Sequence, residues 1–242
     1  MAPVIQIGPA TIQSSILALI IALWLGTAIA EREGKRRGLS GDDAWNAVAL
    51  AGAVTLIAAR LVYVLQNVAV YASDWRGIFS LTPATLSLDY GALFGLAAAL
   101  AYAQHRKIPL ARFADAFAPG ALVAVAIIAC GQFLSGDAYG ARSALPWAIQ
   151  LYGDPRQPVQ LYDALAALIG FVIVWRAARR QWVDGSIALI AVAWYSAARV
   201  VIDAYRGDAT LLPGGYGATQ VVALGVLLVA LFALARLETR KG

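Results

Sequence analysis

Residues 12–37 read IQSSILALIIALWLGTAIAEREGKRR, and two features of that stretch decide the fold. An uncharged apolar run covers about 12–30, close to the roughly 20 residues a membrane-spanning helix needs. Arg32, Lys35, Arg36 and Arg37 follow the run, and no basic residue precedes it. Ala28-Ile29-Ala30 has the small-residue pattern of a signal cleavage site, but a secretory signal carries its positive charge ahead of the apolar run. The run therefore reads as a retained helix whose N-terminus lies outside.

The same ruler finds further spans at about 44–66, 90–104, 114–134, 159–175, 185–204 and 217–235, seven in all. The third is short, and Tyr102 and Gln104 carry it to the interface. Composition agrees with this reading. Of 242 residues, 61% are apolar or aromatic and 14% charged, against about half and a quarter in a soluble domain. The expected fold is an all-α integral membrane protein, a single seven-helix domain over 1–242. Its longer connections, at about 67–89 and 135–158, form ordered caps containing Pro83, Pro146, Pro155 and Pro158. One Cys and one His leave no set of metal ligands. No phosphate-binding glycine loop or dinucleotide fingerprint is present, so neither metal nor cofactor is expected. His105 precedes Arg106-Lys107 and reads as a solvated loop residue, and Asp115 and Pro119 read as a cap and a break.

The formal charge of +5 reports topology, not a nucleic-acid surface. With the N-terminus outside and the C-terminus cytoplasmic, the inner side receives Arg32, Lys35, Arg36, Arg37, Arg106, Lys107, Arg112, Arg176, Arg179, Arg180, Arg236, Arg240 and Lys241. The outer loops hold only Arg76, Arg142, Arg156 and Arg206. That asymmetry is the positive-inside pattern. Arg60 and Arg199 remain, both within spans.

Topology gives each intramembrane polar group a depth. Arg60 falls in the outer half of the second span, and Tyr195, Arg199 and Asp203 in the outer half of the sixth, one turn apart on one face. The fourth span ends with Gln132, Ser135 and Asp137. The third, fifth and seventh begin with Asp89-Tyr90, Gln160-Tyr162-Asp163 and Tyr216-Gln220. Polar groups from six spans thus share one level. An arginine within a bilayer costs about 2.5–3.5 kcal/mol at a helix centre. Arg199 can offset this through Asp203, while Arg60 needs a partner from another helix or a ligand. Arginine forks suit phosphate, and the anion at that depth is a phospholipid headgroup.

Several motifs, in order along the chain, resemble those of the prolipoprotein diacylglyceryl transferase family. Pro3-Val4-Ile5 with Ile7-Gly8-Pro9 resembles its N-terminal segment, and Ala59-Arg60-Leu61-Val62-Tyr63-Val64 its Gly-Arg-x-x-Tyr-Val stretch. Gly136-Asp137-Ala138-Tyr139-Gly140 is similar to Gly-Glu-x-Trp-Gly. Gln157-Pro158-Val159-Gln160-Leu161-Tyr162-Asp163 is similar to His-Pro-Ser-Gln-Leu-Tyr-Glu. Tyr195 through Arg199 to Asp203 is similar to Tyr-x-x-x-Arg-x-x-x-Glu, and Ala218-Thr219-Gln220 falls at the Gly-Gln that opens the last helix. The resemblance implies a seven-span, N-out protein of the bacterial inner membrane. It also implies transfer of diacylglyceryl from phosphatidylglycerol to a lipobox cysteine of a lipoprotein precursor. Two arginines would hold the headgroup, and a histidine in His-Gly-Gly-Leu would act as base.

The departures fall on that chemistry. His-Gly-Gly-Leu reads Tyr90-Gly91-Ala92-Leu93 here. Gly-Arg-x-Gly-Asn-Phe reads through Ala129-Cys130-Gly131-Gln132-Phe133, its arginine replaced by Ala129, and an expected tyrosine aligns with Ser15. A phenol keeps its proton at neutral pH, where an imidazole does not, so tyrosine is a poor base. Two readings follow. In the first, Arg199, Arg60, Asp203, Tyr195, Gln132, Asp137, Gln160 and Tyr162 hold an anionic, phosphatidylglycerol-like phospholipid at the outer leaflet. The chain then serves as an accessory or structural subunit beside membrane-protein partners. In the second, it is an active transferase with a rearranged site using Tyr90 or Asp89. A transporter is a third class, disfavoured because no inverted repeat is visible.

Overall fold

The computed structural model describes residues 3–7, 10–73, 75–79 and 82–239; Gly8, Pro9, Arg240 and Lys241 lie outside them. A two-stranded ribbon, β1 (Val4–Ile7) and β2 (Ala10–Gln13), opens the chain with Val4 opposite Gln13. Long helices follow: α1 (Ser14–Arg36), α2 (Gly41–Gln66), the short α3 (Val68–Ser73), α4 (Leu88–His105) and α5 (Leu110–Ser135). A second ribbon, β3 (Ile149–Leu151) and β4 (Asp154–Arg156), precedes α6 (Val159–Ala177), α7 (Ser186–Ile202) and α8 (Ala218–Thr239).

Local chemistry sets several of these ends. Lys35 and Arg36 occupy the last turn of α1, where cations complement the helix dipole. Ser40 and Asp43 form a capping box that starts α2. The break expected at Pro119 does not occur, and α5 runs through it. Asp115 does cap a helix, though a different one. Its carboxylate accepts from the backbone N–H of Gly185 and Ala188 at 2.8 Å each, and so caps α7.

Six of these helices (α1, α2, α5, α6, α7 and α8) are long and apolar enough to cross a membrane. The expected third span, α4, is 18 residues with Asp89 and His105 at its two ends. At 1.5 Å per residue it is about 27 Å long, just short of a hydrocarbon core. The all-α expectation is corrected to a mostly helical one, because both ribbons are β-structure. In the second, Tyr152 (φ 54) and Gly153 (φ 82) form a two-residue turn with both residues left-handed, the geometry that matches strand twist.

α1 and α5 form the central pair. α2 packs on α1, α4 packs on α2 and reaches α5 where Ala103 meets Phe113, α6 and α7 cover α5, and α8 leans on α7. The contacts use small residues, as lipid-embedded helices do. A Cβ at Gly26 would sit 3.0 Å from the Gly120 carbonyl oxygen. Gly91 and Gly95 seat α4 on α2: a Cβ at Gly91 would lie 2.5 Å from Thr55 O, and one at Gly95 would overlap Thr55 Oγ1. Gly95→Ala should therefore cost about 1–3 kcal/mol by overpacking. Gly225→Ala on α8 meets open space and should leave detergent melting unchanged, which makes it the matched control.

Candidate functional site

The connections that follow α5 and α7 are stapled to the helix ends. Ala141 N–H donates to Tyr205 O (2.7 Å), Gly207 N–H to Tyr139 O (2.9 Å) and Gln157 N–H to Ala141 O (3.0 Å), which joins the end of α7 to the approach to α6. The arginines of this cap are engaged: Arg142 with Asp154 at 2.9 Å, Arg206 with Asp208 at 2.8 Å, and Arg156 over the Tyr139 ring at 4.7 Å.

Beneath the cap, α6 and α7 bring together a buried ionic cluster. Arg199 Nη1 donates to Asp163 Oδ2 at 3.0 Å, and its Nη2 pairs with Asp203 Oδ1 at 2.6 Å. Tyr195 lies against Arg199 and the Asp163 carboxylate. Both acids are buried, Asp163 to 5% and Asp203 to 3% relative exposure. One guanidinium thus serves two carboxylates, and Asp203 Oδ2 meets no donor among the described residues. Asp163 is the residue that sequence reasoning passed over. It stood at the start of the fifth span in the sequence, with nothing to set it apart from the polar groups around it.

Gln160 and Tyr162 flank this cluster but turn to other tasks. The Gln160 side chain donates to Asp137 O at 2.8 Å, tying α6 to the end of α5, and its Oε1 is buried without a donor. Tyr162 accepts from Trp147 Nε1 at 2.7 Å. The Asp137 carboxylate accepts from Ser135 Oγ at 2.7 Å. Gln132 is half-buried, and its carbonyl accepts from Ser135 Oγ and Gly136 N–H.

Arg60, Asp89 and Tyr90 lie on α2 and at the start of α4. The buried Arg60 has no acid partner among the described residues, and it lines an apolar groove of about 550 Å³ with Leu56, Ile57 and Phe79. It donates from Nε to Ile78 O (2.7 Å), from Nη1 to Thr85 O (2.9 Å), and from Nη2 to Tyr71 Oη (3.2 Å) and Gly77 O. The Tyr71 ring also lies 5.1 Å from its guanidinium carbon. Asp89 and Tyr90 are exposed at the start of α4, Tyr90 to 52%. His105 closes α4 and is exposed as expected. Ala129, at the family's arginine position, is buried at 3%. The expected site residues therefore fall into two groups, one on α6, α7 and the end of α5, the other on α2 and the start of α4.

A lateral groove of about 360 Å³ runs between α7 and α8. Tyr195, Arg199 and Asp203 line its polar end, and Val222, Ala223 and Val226 its apolar one. Among the described residues, no group of three or more His, Cys, Asp or Glu could hold a metal ion.

Comparison with known proteins agrees with the motifs. Residues 3–236 match the prolipoprotein diacylglyceryl transferase family. Relatives from Streptococcus pyogenes, among them those of serotype M5 (strain Manfredo), serotype M49 (strain NZ131) and serotype M1, carry the name phosphatidylglycerol–prolipoprotein diacylglyceryl transferase. Each is 28% identical over 242 residues, an alignment covering 96% of this chain and 93% of the relative. With six apolar helices of spanning length and a match over nearly its whole length, the chain is a multi-pass protein of the bacterial inner membrane and belongs to the prolipoprotein diacylglyceryl transferase family.

Proposed function

We propose that this chain is a non-catalytic member of its family, which holds an anionic phospholipid in the α7–α8 groove and serves as an accessory or structural subunit of a membrane complex. In this reading α4 is a seventh span, the N-terminus lies outside and the C-terminus is cytoplasmic. The end of α1 and the starts of α5 and α7 meet through the Arg37–Asp115 pair (3.2 Å) and the bonds from Asp115 to the α7 N-terminus. That gathers basic residues at one end of the bundle, in agreement with the charge asymmetry.

One observation carries the reading. Arg199 is held between two carboxylates, and the family's histidine position carries Tyr90, a phenol exposed at the start of α4. A base must reach the proton it takes, directly or through one water. It must also have shed its own proton, and a phenol, unlike an imidazole, ordinarily keeps its proton at neutral pH. The groove retains what lipid binding needs, a guanidinium at a polar mouth and an apolar trough for an acyl chain.

The active reading has one observation in its favour. Asp203 Oδ2 is a buried carboxylate oxygen without a donor, beside Arg199, and such an oxygen has the capacity to accept a thiol proton. Expression in a cell depleted of its own diacylglyceryl transferase separates the two. We expect no rescue from protein present in the membrane at normal levels. Phosphatidylglycerol should co-purify with it and be largely lost from Val222→Trp, which fills the groove. Rescue that Asp203→Asn abolishes would establish the transferase instead.

A further inference from the structure

At the end of the bundle opposite the outer cap, a cleft of about 380 Å³ opens between the C-terminal ends of α1 and α6 and the start of α7. Arg36, Arg37 and Arg180 line it, with Glu33 and Trp182. Glu33 pairs with Arg36 at 2.8 Å, and Asp115 lies behind with Arg37 at 3.2 Å. Three guanidinium groups thus face two carboxylates. The side chain of Arg180 is exposed and has no partner among the described residues. Two buried donors in the same wall are also unmatched. Arg37 Nε and Trp182 Nε1 meet no acceptor among the described residues. An indole N–H and a guanidinium N–H can only donate, so both need an acceptor that the surrounding residues do not supply. Buried donors are ordinarily paired. Two unmatched donors on residues that line a cleft with surplus positive charge mark a place for an anion.

We infer that this cleft binds a phosphate ester: Arg36, Arg37 and Arg180 surround the phosphate, with Arg37 Nε and the Trp182 indole as directed donors. Several oxygens on one tetrahedral centre match arginine forks, and the volume leaves room for a glycerol-sized substituent. With the proposed orientation, the cleft opens at the cytoplasmic leaflet. It is at the other end of the bundle from the α7–α8 groove, so neither proposal depends on the other.

The test titrates lipid-stripped protein in a non-ionic detergent with inorganic phosphate and, separately, with short-chain phosphatidylglycerol, while tryptophan emission is read. The expected result is a saturable change that Arg180→Gln weakens tenfold or more and Trp182→Phe abolishes. Arg32→Gln, an exposed arginine outside the cleft, should leave it unchanged. Because Arg180 is exposed and unpartnered, its replacement does not threaten the fold. Saturation by the lipid alone assigns a membrane headgroup, and equal saturation by both assigns a free phosphate compound. No saturable change with either probe, or one that persists in both Arg180→Gln and Trp182→Phe, overturns the inference.

Discussion

Arg199→Ala is expected to destabilise the protein by about 3–5 kcal/mol, the usual cost of removing one partner from a buried ion pair. The wild-type cluster sets one guanidinium, that of Arg199, against two buried carboxyl groups, those of Asp163 and Asp203. Without the guanidinium, two carboxylates stand close together in a site that is almost closed to water, and neither has a cation. Asp163→Asn alone should be mild, about 1 kcal/mol, because Arg199 keeps Asp203 and the amide can still accept its hydrogen bond. Arg199→Lys should recover part of the loss only, since one ammonium replaces a fork that reaches both acids. The decisive variant combines Arg199→Ala with Asp163→Asn and Asp203→Asn. It removes the buried charge altogether and should recover more than half of the lost stability in detergent melts. If Arg199→Ala melts like the parent, the cluster does not hold α6 to α7.

That experiment rests on a pairing the sequence revealed only in part. The Arg199–Asp203 pair is a one-turn spacing on one helix and can be read directly. The Asp163 pair joins different helices, and nothing in the pattern separates Asp163 from the polar groups that commonly mark a span's end. Helix extents were legible because hydrophobicity over some twenty residues is a strong signal. The ribbons were not, because Ile149–Leu151 and Asp154–Arg156 are three residues each and the second contains Pro155, ordinarily evidence against a strand. Depth is also a single coordinate. Counting residues along alternating spans placed Arg60, Asp89, Tyr90 and Arg199 at one level, and did so without information on which helices are neighbours. Lateral order is set by small-residue contacts such as Gly26 with Gly120, which pair α1 with α5, while α4 packs on α2 and α8 on α7. Asp115 illustrates the same limit: it caps a helix that begins 71 residues later.

Arg60 is the second large effect, and its partners could not have been named from any motif, because three of the four acceptors are backbone carbonyls. They belong to Gly77, Ile78 and Thr85, all in the connection between α3 and α4, and Tyr71 at the end of α3 supplies the fourth. A single side chain on α2 thus ties down two short 3-10 turns, Trp75–Phe79 and Pro83–Thr85, beside the apolar groove that it lines with Leu56, Ile57, Leu61 and Phe79. Hydrogen bonds to a charged donor contribute about 1.5–3 kcal/mol each. Water can replace part of this near the interface, so the expected loss for Arg60→Met is about 2–4 kcal/mol, concentrated in one place. Limited proteolysis should then cut between residues 76 and 86 at least tenfold faster, with little change in the rest of the helical bundle. Arg60→Lys should be cut nearly as fast, since an ammonium cannot fan donors over four acceptors set by a planar group. The outcome also separates clamp from ligand site. A clamp predicts that cleavage of Arg60→Met is fast whether or not phosphatidylglycerol is present, and that the wild type resists cleavage when stripped of lipid. Protection of the wild type that appears only on adding phosphatidylglycerol would return Arg60 to the role of headgroup ligand.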